Sequence, residues 1–250
     1  MDDILKLIDH KPSKEMLSNI THYLINEKNP NDPYSLEEFL TKTKKQITIN
    51  RKNNRPTIIC GGTGLFIRAF IHQYKLPNLT NNKLLRKELE ETYNKEGGQS
   101  LWKKLNQKDP ISAKNIHPNN PHHLIRALEL AILSGKPPST IKKQNDFPRK
   151  DTKIIGLKTT RTRVIERINE RVDQMLNDGF VDEVDYLLKK GYNTTMQSFK
   201  ALGYQEITDY LNKTTTYETM VTKIKTNTQK FSKRQMTWFK KFTHAIWKEI

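Results

Sequence analysis

Several groups of residues have types and spacings suited to chemistry. Gly61-Gly62-Thr63-Gly64 follows the apolar run Thr57-Ile58-Ile59-Cys60 and leads into Leu65-Phe66-Ile67-Arg68-Ala69-Phe70. Consecutive glycines let a chain turn sharply and approach a ligand without Cβ interference, and Thr63 adds a hydroxyl where a helix begins. On spacing alone, a plain strand-to-helix turn with Thr63 as N-cap is the alternative. It is no dinucleotide fingerprint, because Ile67 stands where the third glycine belongs. Arg163, Arg167 and Arg171 recur every fourth residue and form one stripe on a helix, with Val164, Ile168, Val172 and Met175 on the neighbouring face. Guanidinium forks so spaced suit phosphates or a diphosphate leaving group. For Arg163 a solvated pairing with Glu166 is the better reading.

His117-Pro118-Asn119-Asn120-Pro121-His122-His123 invites a metal reading, but no Cys or carboxylate completes a ligand set at the usual spacing. A rigid turn capping a helix over Leu124 to Leu133 fits better. It would present His122, His123 and Arg126 together as donors and stacking surfaces for RNA, or simply to solvent. Ser134-Gly135-Lys136 mimics the end of a phosphate-binding loop, yet Leu130 and Pro137 break the pattern, and no G-x-x-x-x-G-K-[ST] occurs in the 250 residues.

The elements that must position these groups follow from periodicity and punctuation. Ser35-Leu36-Glu37-Glu38 has capping-box spacing and predicts a helix from about Ser35 to Arg51. Thr57 to Cys60 and Lys153 to Leu157 read as buried strands. Between them, Leu84 to Leu133 is helical, with turns at Gly97-Gly98, Asp109-Pro110 and Pro118 to Pro121. Gly135 to Arg149 reads as a linker. Amphipathic helices are expected near Thr162 to Asn177, Val181 to Lys190, Ser198 to Leu211 and Tyr217 to Phe242. The pattern implies one α/β core interrupted by a helical insertion.

Composition narrows the partners. Forty-four Lys and Arg against 27 Asp and Glu leave a net charge of +17. Part of that excess fits a Lys- and Asn-rich composition, but the charge is not evenly spread. From Thr219 to Lys248 there are eight basic residues and no acidic one, interleaved with Phe231, Trp238, Phe239 and Phe242. Such a segment suits a nucleic-acid backbone, with its aromatics more suited to packing than to base stacking. A single cysteine, Cys60, excludes a disulfide framework. No stretch approaches the ~18 apolar residues of a membrane span, and the first residues lack a signal-peptide pattern. A cytoplasmic, monomeric protein is the expectation.

Six strings in order resemble the tRNA dimethylallyltransferases (tRNA isopentenyltransferases, the IPP transferase family). They are Lys11-Pro12-Ser13 with His22, Tyr34-Ser35 and Phe39; Ile59 to Phe66; Ile116 to Pro121 through Arg126-Ala127-Leu128-Glu129; Arg167 to Leu176; Gln197-Ser198 through Ala201-Leu202-Gly203-Tyr204; and Lys233-Arg234-Gln235-Met236-Thr237-Trp238-Phe239. The resemblance implies a mostly helical α/β fold with a nucleotide-binding (ATP-type), P-loop-NTPase-like core and a helical insertion subdomain. It divides the chain into 1–75, 76–148 and 149–250. The implied reaction moves a dimethylallyl group from dimethylallyl diphosphate to N6 of the adenosine beside the tRNA anticodon, with Mg²⁺ assisting.

By motif match, Thr63, Arg86, His122, His123, Leu124, Ile125, Arg126, Thr195, Met196, Gln197, Ser198, Phe199 and Lys200 are implied tRNA contacts, with Lys233 and Arg234. Arg171 would hold the diphosphate, with Arg167 one turn away and Gly61, Gly62 and Gly64 nearby. Against the family pattern the sequence starts after the P-loop and the catalytic Asp segment. Asp2, Asp3 and Asp9 are given no base role, and no residue here is a metal ligand. Gln229 and Lys200 replace an Arg and a Gln or Arg. Two expectations follow: a transferase whose N-terminal portion is lost through a misplaced start, a frameshift or a split gene, and a non-catalytic tRNA-binding remnant.

Overall fold

The computed structural model describes residues 14–25, 27–77, 82–141 and 148–250. Lys11-Pro12-Ser13, Asp2, Asp3, Asp9 and part of the expected linker lie outside the described residues. Helix α1 covers Lys14–Asn19, α2 Leu36–Lys52 and α3 Gly64–Ile71. Then come α4 (Lys83–Glu96), α5 (Gly98–Lys108), α6 (Pro110–Lys114), α7 (Pro121–Ser134) and the single turn α8 (Pro138–Ile141). Strand β1 (Ile155–Lys158) precedes α9 (Arg161–Asn177), α10 (Phe180–Lys189), α11 (Tyr204–Leu211), α12 (Tyr217–Phe239) and strand β2 (Ile246–Glu249). Two compact units result, one of residues 1–67 with 153–250, the other of 68–152.

In the first unit, the Ser35 hydroxyl accepts from the Glu38 N–H at 3.1 Å and starts α2. Its main core lies among α9 to α12, where Val172, Phe180, Val184, Leu187, Phe199, Ile207, Met220 and Ile224 are buried together. Polar groups inside this core are tied down. Glu206 accepts from the Gly203 N–H at 3.1 Å and from the Asn227 amide at 2.6 Å. The Tyr204 hydroxyl donates to Glu183 at 2.5 Å. Burial first, and that carboxylate second, push the Tyr204 hydroxyl well above its ordinary pKa, so it stays a donor.

The sheet departs from the expected pattern. Thr57 to Cys60 is not a strand; Ile58 is 90% exposed. A strand exists only with a neighbour to pair with, and among the described residues the ladder joins β1 to β2 instead. They run parallel, with Ile155 opposite Ile246 and Lys158 opposite Glu249. The expected strand at 153–157 is therefore present but not buried: Ile155, Leu157 and Ile246 are exposed. The span from Ser198 to Leu211 is no single helix. A 3₁₀ turn, Ser198–Lys200, stops short of Gly203, whose φ of +97° lies outside the range comfortable for an L side chain. A Cβ there would also meet the Phe180 ring.

The second unit follows the punctuation closely. Leu89, Leu101, Leu105, Ala113, Leu124, Ile125, Ala127 and Leu128 form its core. Gly97, at φ +77°, divides α4 from α5. Asn120 caps α7, with Pro121 in its first turn. The Trp102 ring N–H donates to the carbonyls of Ala113 at 2.9 Å and Ile116 at 3.1 Å. Asp109, 1% exposed, accepts from the Ser112 N–H, and from the Ser139 N–H and hydroxyl at 2.7 and 2.9 Å. It thereby caps α6 and fastens α8 to it.

Burial alone would raise the Asp109 pKa, but hydrogen bonds from Ser112 and Ser139 outweigh it and hold the carboxyl at about 2, below its ordinary 3.8. A depressed carboxylate contributes stability that is present above the unfolded pKa and lost as pH falls through the folded one. Between pH 3.8 and about 2, wild-type stability should therefore fall more steeply than that of Asp109→Asn. Asp109→Ala should cost about 1–3 kcal/mol at neutral pH. Urea titrations at several pH values check both.

Candidate nucleic-acid interface

The glycine turn is built against the last helix. The Gln235 amide donates to the Gly62 carbonyl at 3.1 Å. Gly64 is buried, and a Cβ on it would lie 2.9 Å from the Trp238 Cβ and 3.1 Å from the first indole carbon. Only a residue with no side chain lets α3 start this close to α12. The Thr63 carbonyl accepts from the Phe66 and Ile67 N–H groups at 3.0 and 3.2 Å, so Thr63 sits at the mouth of α3 with its side chain exposed. Phe66 packs on Phe39 of α2, ring centres 4.9 Å apart, and near Tyr34 at 6.3 Å. Gly61 is exposed at the outer corner of the turn.

Around this joint the end of α12 and the residues just after it are cationic. Lys233, Arg234, Lys240 and Lys241 are exposed. The Arg234 guanidinium lies 5.8 Å from the Phe231 ring centre and the Lys241 ammonium 5.5 Å from that of Trp238. Phe242 is buried and stacks on Phe239, as expected of packing aromatics, while Phe231 and Trp238 remain about one-third exposed. Helix α9 is pinned to α12 by Lys225 to Asp173 at 2.6 Å and by the Gln229 amide donating to Asn169 at 3.2 Å. Gln229, where the resemblance expects Arg, is thus a helix-to-helix tie. Arg163 pairs with Glu166 at 3.0 Å, as the sequence suggested. Arg167 and Arg171 sit further along α9, exposed.

The segment 195–200 divides by side chain. Thr195, Gln197 and Lys200 are exposed, with Thr195 bonded to Asn193. The Ser198 hydroxyl donates to the Pro30 carbonyl at 2.7 Å. Phe199 is fully buried, and Met196, partly buried, packs against the same core. The aromatic and the thioether anchor the segment that presents its neighbours.

The same holds on α7 in the second unit. His122, His123 and Arg126 are exposed, the two imidazoles edge to face at 5.5 Å. Leu124 and Ile125 are core residues, because a helical period turns them inward. His117 accepts from the Asn119 N–H and shapes the turn. Arg86 on α4 and Arg126 both reach Glu129, at 3.7 and 3.1 Å. The sequence assigns no role to Gln235, Asn169 or Glu129, since a supporting amide or carboxylate has no spacing rule of its own. Among the described residues no three His, Cys, Asp or Glu converge on a point that could hold a metal.

The IPP transferase family model matches residues 4–242. The tRNA dimethylallyltransferase of Natranaerobius thermophilus is 35% identical over 240 residues, covering 96% of this chain and 72% of its own length. That of Thermoanaerobacter sp. (strain X514) is 38% identical, covering 95% and 76%. Among solved structures, the tRNA isopentenylpyrophosphate transferase of Bacillus halodurans superposes with a TM-score of 0.66 at 36% identity, covering 96% of this chain and 75% of that one. A eukaryotic dimethylallyltransferase acting on tRNA gives 0.81 at 20% identity and shares the fold. The α/β class with a P-loop-NTPase-like core is the fold of these neighbours.

The joint between turn and helix is checkable on its own. Gly64→Ala forces its methyl into the Trp238 stem and should cost about 1–3 kcal/mol as overpacking. Gly61→Ala meets nothing within 4 Å and should stay within about 0.5 kcal/mol of wild type. Chemical unfolding followed by tryptophan fluorescence measures both.

Proposed function

Because this chain belongs to the IPP transferase family, we propose that it transfers a dimethylallyl group from dimethylallyl diphosphate to N6 of the adenosine beside a tRNA anticodon. The observation that carries this reading is the glycine turn seated on the cationic end of α12. It joins a close-approach backbone, able to meet a small ligand, to a surface suited to a polyanion.

The reaction forms a bond from N6 to the allylic carbon and breaks that carbon's bond to diphosphate, while N6 gives up a proton to solvent or to the released diphosphate. An adenine N6 within a stacked loop is out of reach, so the base must leave its stack. Thr63, exposed at the mouth of α3, offers a hydroxyl to the extruded base. Arg171, supported by Arg167, supplies guanidinium donors to the diphosphate as its charge grows. Lys233 and Arg234 take backbone phosphates, as do Arg86, His122, His123 and Arg126 in the second unit. Thr195, Gln197, Ser198 and Lys200 complete the RNA contacts. Mg²⁺ belongs to the proposal as the counter-ion of the diphosphate. The described residues offer it no ligand cluster.

Nucleoside analysis of tRNA incubated with the protein and dimethylallyl diphosphate should show N6-dimethylallyl-adenosine. Arg171→Ala should lower kcat/KM on the order of a hundredfold. tRNA that binds and is released unmodified would overturn the reading. Replacing both Lys233 and Arg234 by Ala should weaken tRNA binding on the order of tenfold and flatten the salt dependence by about two phosphate contacts. Filter binding across a salt series measures this.

A further inference from the structure

Glu129 lies on α7 in the middle of the second unit and is 2% exposed. One carboxylate oxygen accepts from Arg126 at 3.1 Å, and the other faces Arg86 on α4 at 3.7 Å. The arginine side chains are 49% and 38% exposed, so each reaches from solvent down to a single buried anion. Arg86 also donates through Nε to Glu90 at 3.0 Å, an exposed partner one turn along its own helix. A guanidinium carries five N–H donors in a rigid fork, and these contacts use only part of each fork. His122 stands one turn before Arg126 on the same face of α7, at the end where the helix dipole favours anions.

We infer that Glu129 is a positioning residue for tRNA binding, which orients Arg86 and Arg126 so that their remaining donors meet backbone phosphates as a pre-set pair. This rests on the reading given under Proposed function. A carboxylate at this depth must be desolvated, and a buried ion triad typically contributes little or nothing to stability compared with apolar residues of similar volume. The neighbouring residues Leu124, Ile125, Ala127 and Leu128 already supply an apolar core, so an apolar side chain at 129 would serve packing as well. What the carboxylate provides is geometry. It joins two flexible arginines from two helices and removes rotamer freedom before RNA arrives, which reduces the ordering cost of binding.

Simple electrostatics and positioning predict opposite signs. Removing a negative charge from a polyanion-binding surface should tighten binding; removing a positioning carboxylate should weaken it. For Glu129→Met we expect an unchanged or raised melting temperature and a rise in KM for tRNA on the order of tenfold. The maximal rate at saturating tRNA and the KM for dimethylallyl diphosphate should stay within about twofold. Glu129→Gln, which keeps an acceptor toward one arginine, should fall between. In a protein already carrying Arg86→Gln and Arg126→Gln, Glu129→Met should add no further loss, since its effect passes through those two side chains.

Unchanged or tighter tRNA binding by either folded variant overturns the inference, as does a full further loss in the double-arginine background. If Glu129→Met does not fold, Glu129→Gln decides the matter by the same sign. A wild-type protein that neither binds nor modifies tRNA overturns the underlying function and this inference with it. Failure confined to the variants overturns the inference alone.

Discussion

The first unit depends on one close approach, the start of α3 against the last turns of α12. A glycine backbone meets the stem of a tryptophan, and a glutamine amide closes the gap on the preceding carbonyl. This contact makes a surface turn and a distant basic helix into one site. Without it, Thr63 would sit on a loop with no fixed relation to Lys233 and Arg234. The requirement is steric before it is electrostatic, which is why the segment uses glycine rather than any small residue.

Polar ties elsewhere hold helices in register where apolar packing alone would allow sliding. Glu206, Asp109 and Gln229 each accept from or donate to a neighbouring element, and each is supplied with partners rather than left to water. Surface ion pairs contribute less. Lys42 with Glu27 and Glu38, and Lys28 with Glu38, cover the edge of α2, where solvent screens them. The basic run along α12 is different in kind, since no acidic residue follows Glu218 in that helix.

Much of this was legible in the residues. The turn chemistry of 97–98, 109–110 and 118–121 located the helices of the second unit to within a few residues, because caps and prolines act locally. The strands were not legible in the same way. Thr57 to Cys60 has every apolar mark of a buried strand, yet a ladder is a relation between two segments, and the partner of 155–158 proved to be 246–249, which no periodicity announced. Motif matching marked whole strings as RNA-facing, whereas a helix turns two of every few residues inward. Leu124 and Ile125 follow that period, and Phe199 turns inward from a 3₁₀ turn. Glu129 lay unremarked inside a recognised string because its meaning depends on Arg86, forty-odd residues away and on another helix.

The parallel pairing of β1 with β2 also bears on how the first unit comes together. Parallel neighbours cannot be joined by a tight turn, and here the crossover contains α9, α10, α11 and α12. Closing so long a loop has an entropic cost that must be met before its hydrogen bonds form. On a ribosome, Ile155 to Lys158 therefore wait through the synthesis of four helices for Ile246 to emerge. Among the described residues β1 has no other ladder partner, so its Ile155 and Leu157 side chains wait unpaired through that interval. The ladder between β1 and β2 brings the two ends of the helical crossover together.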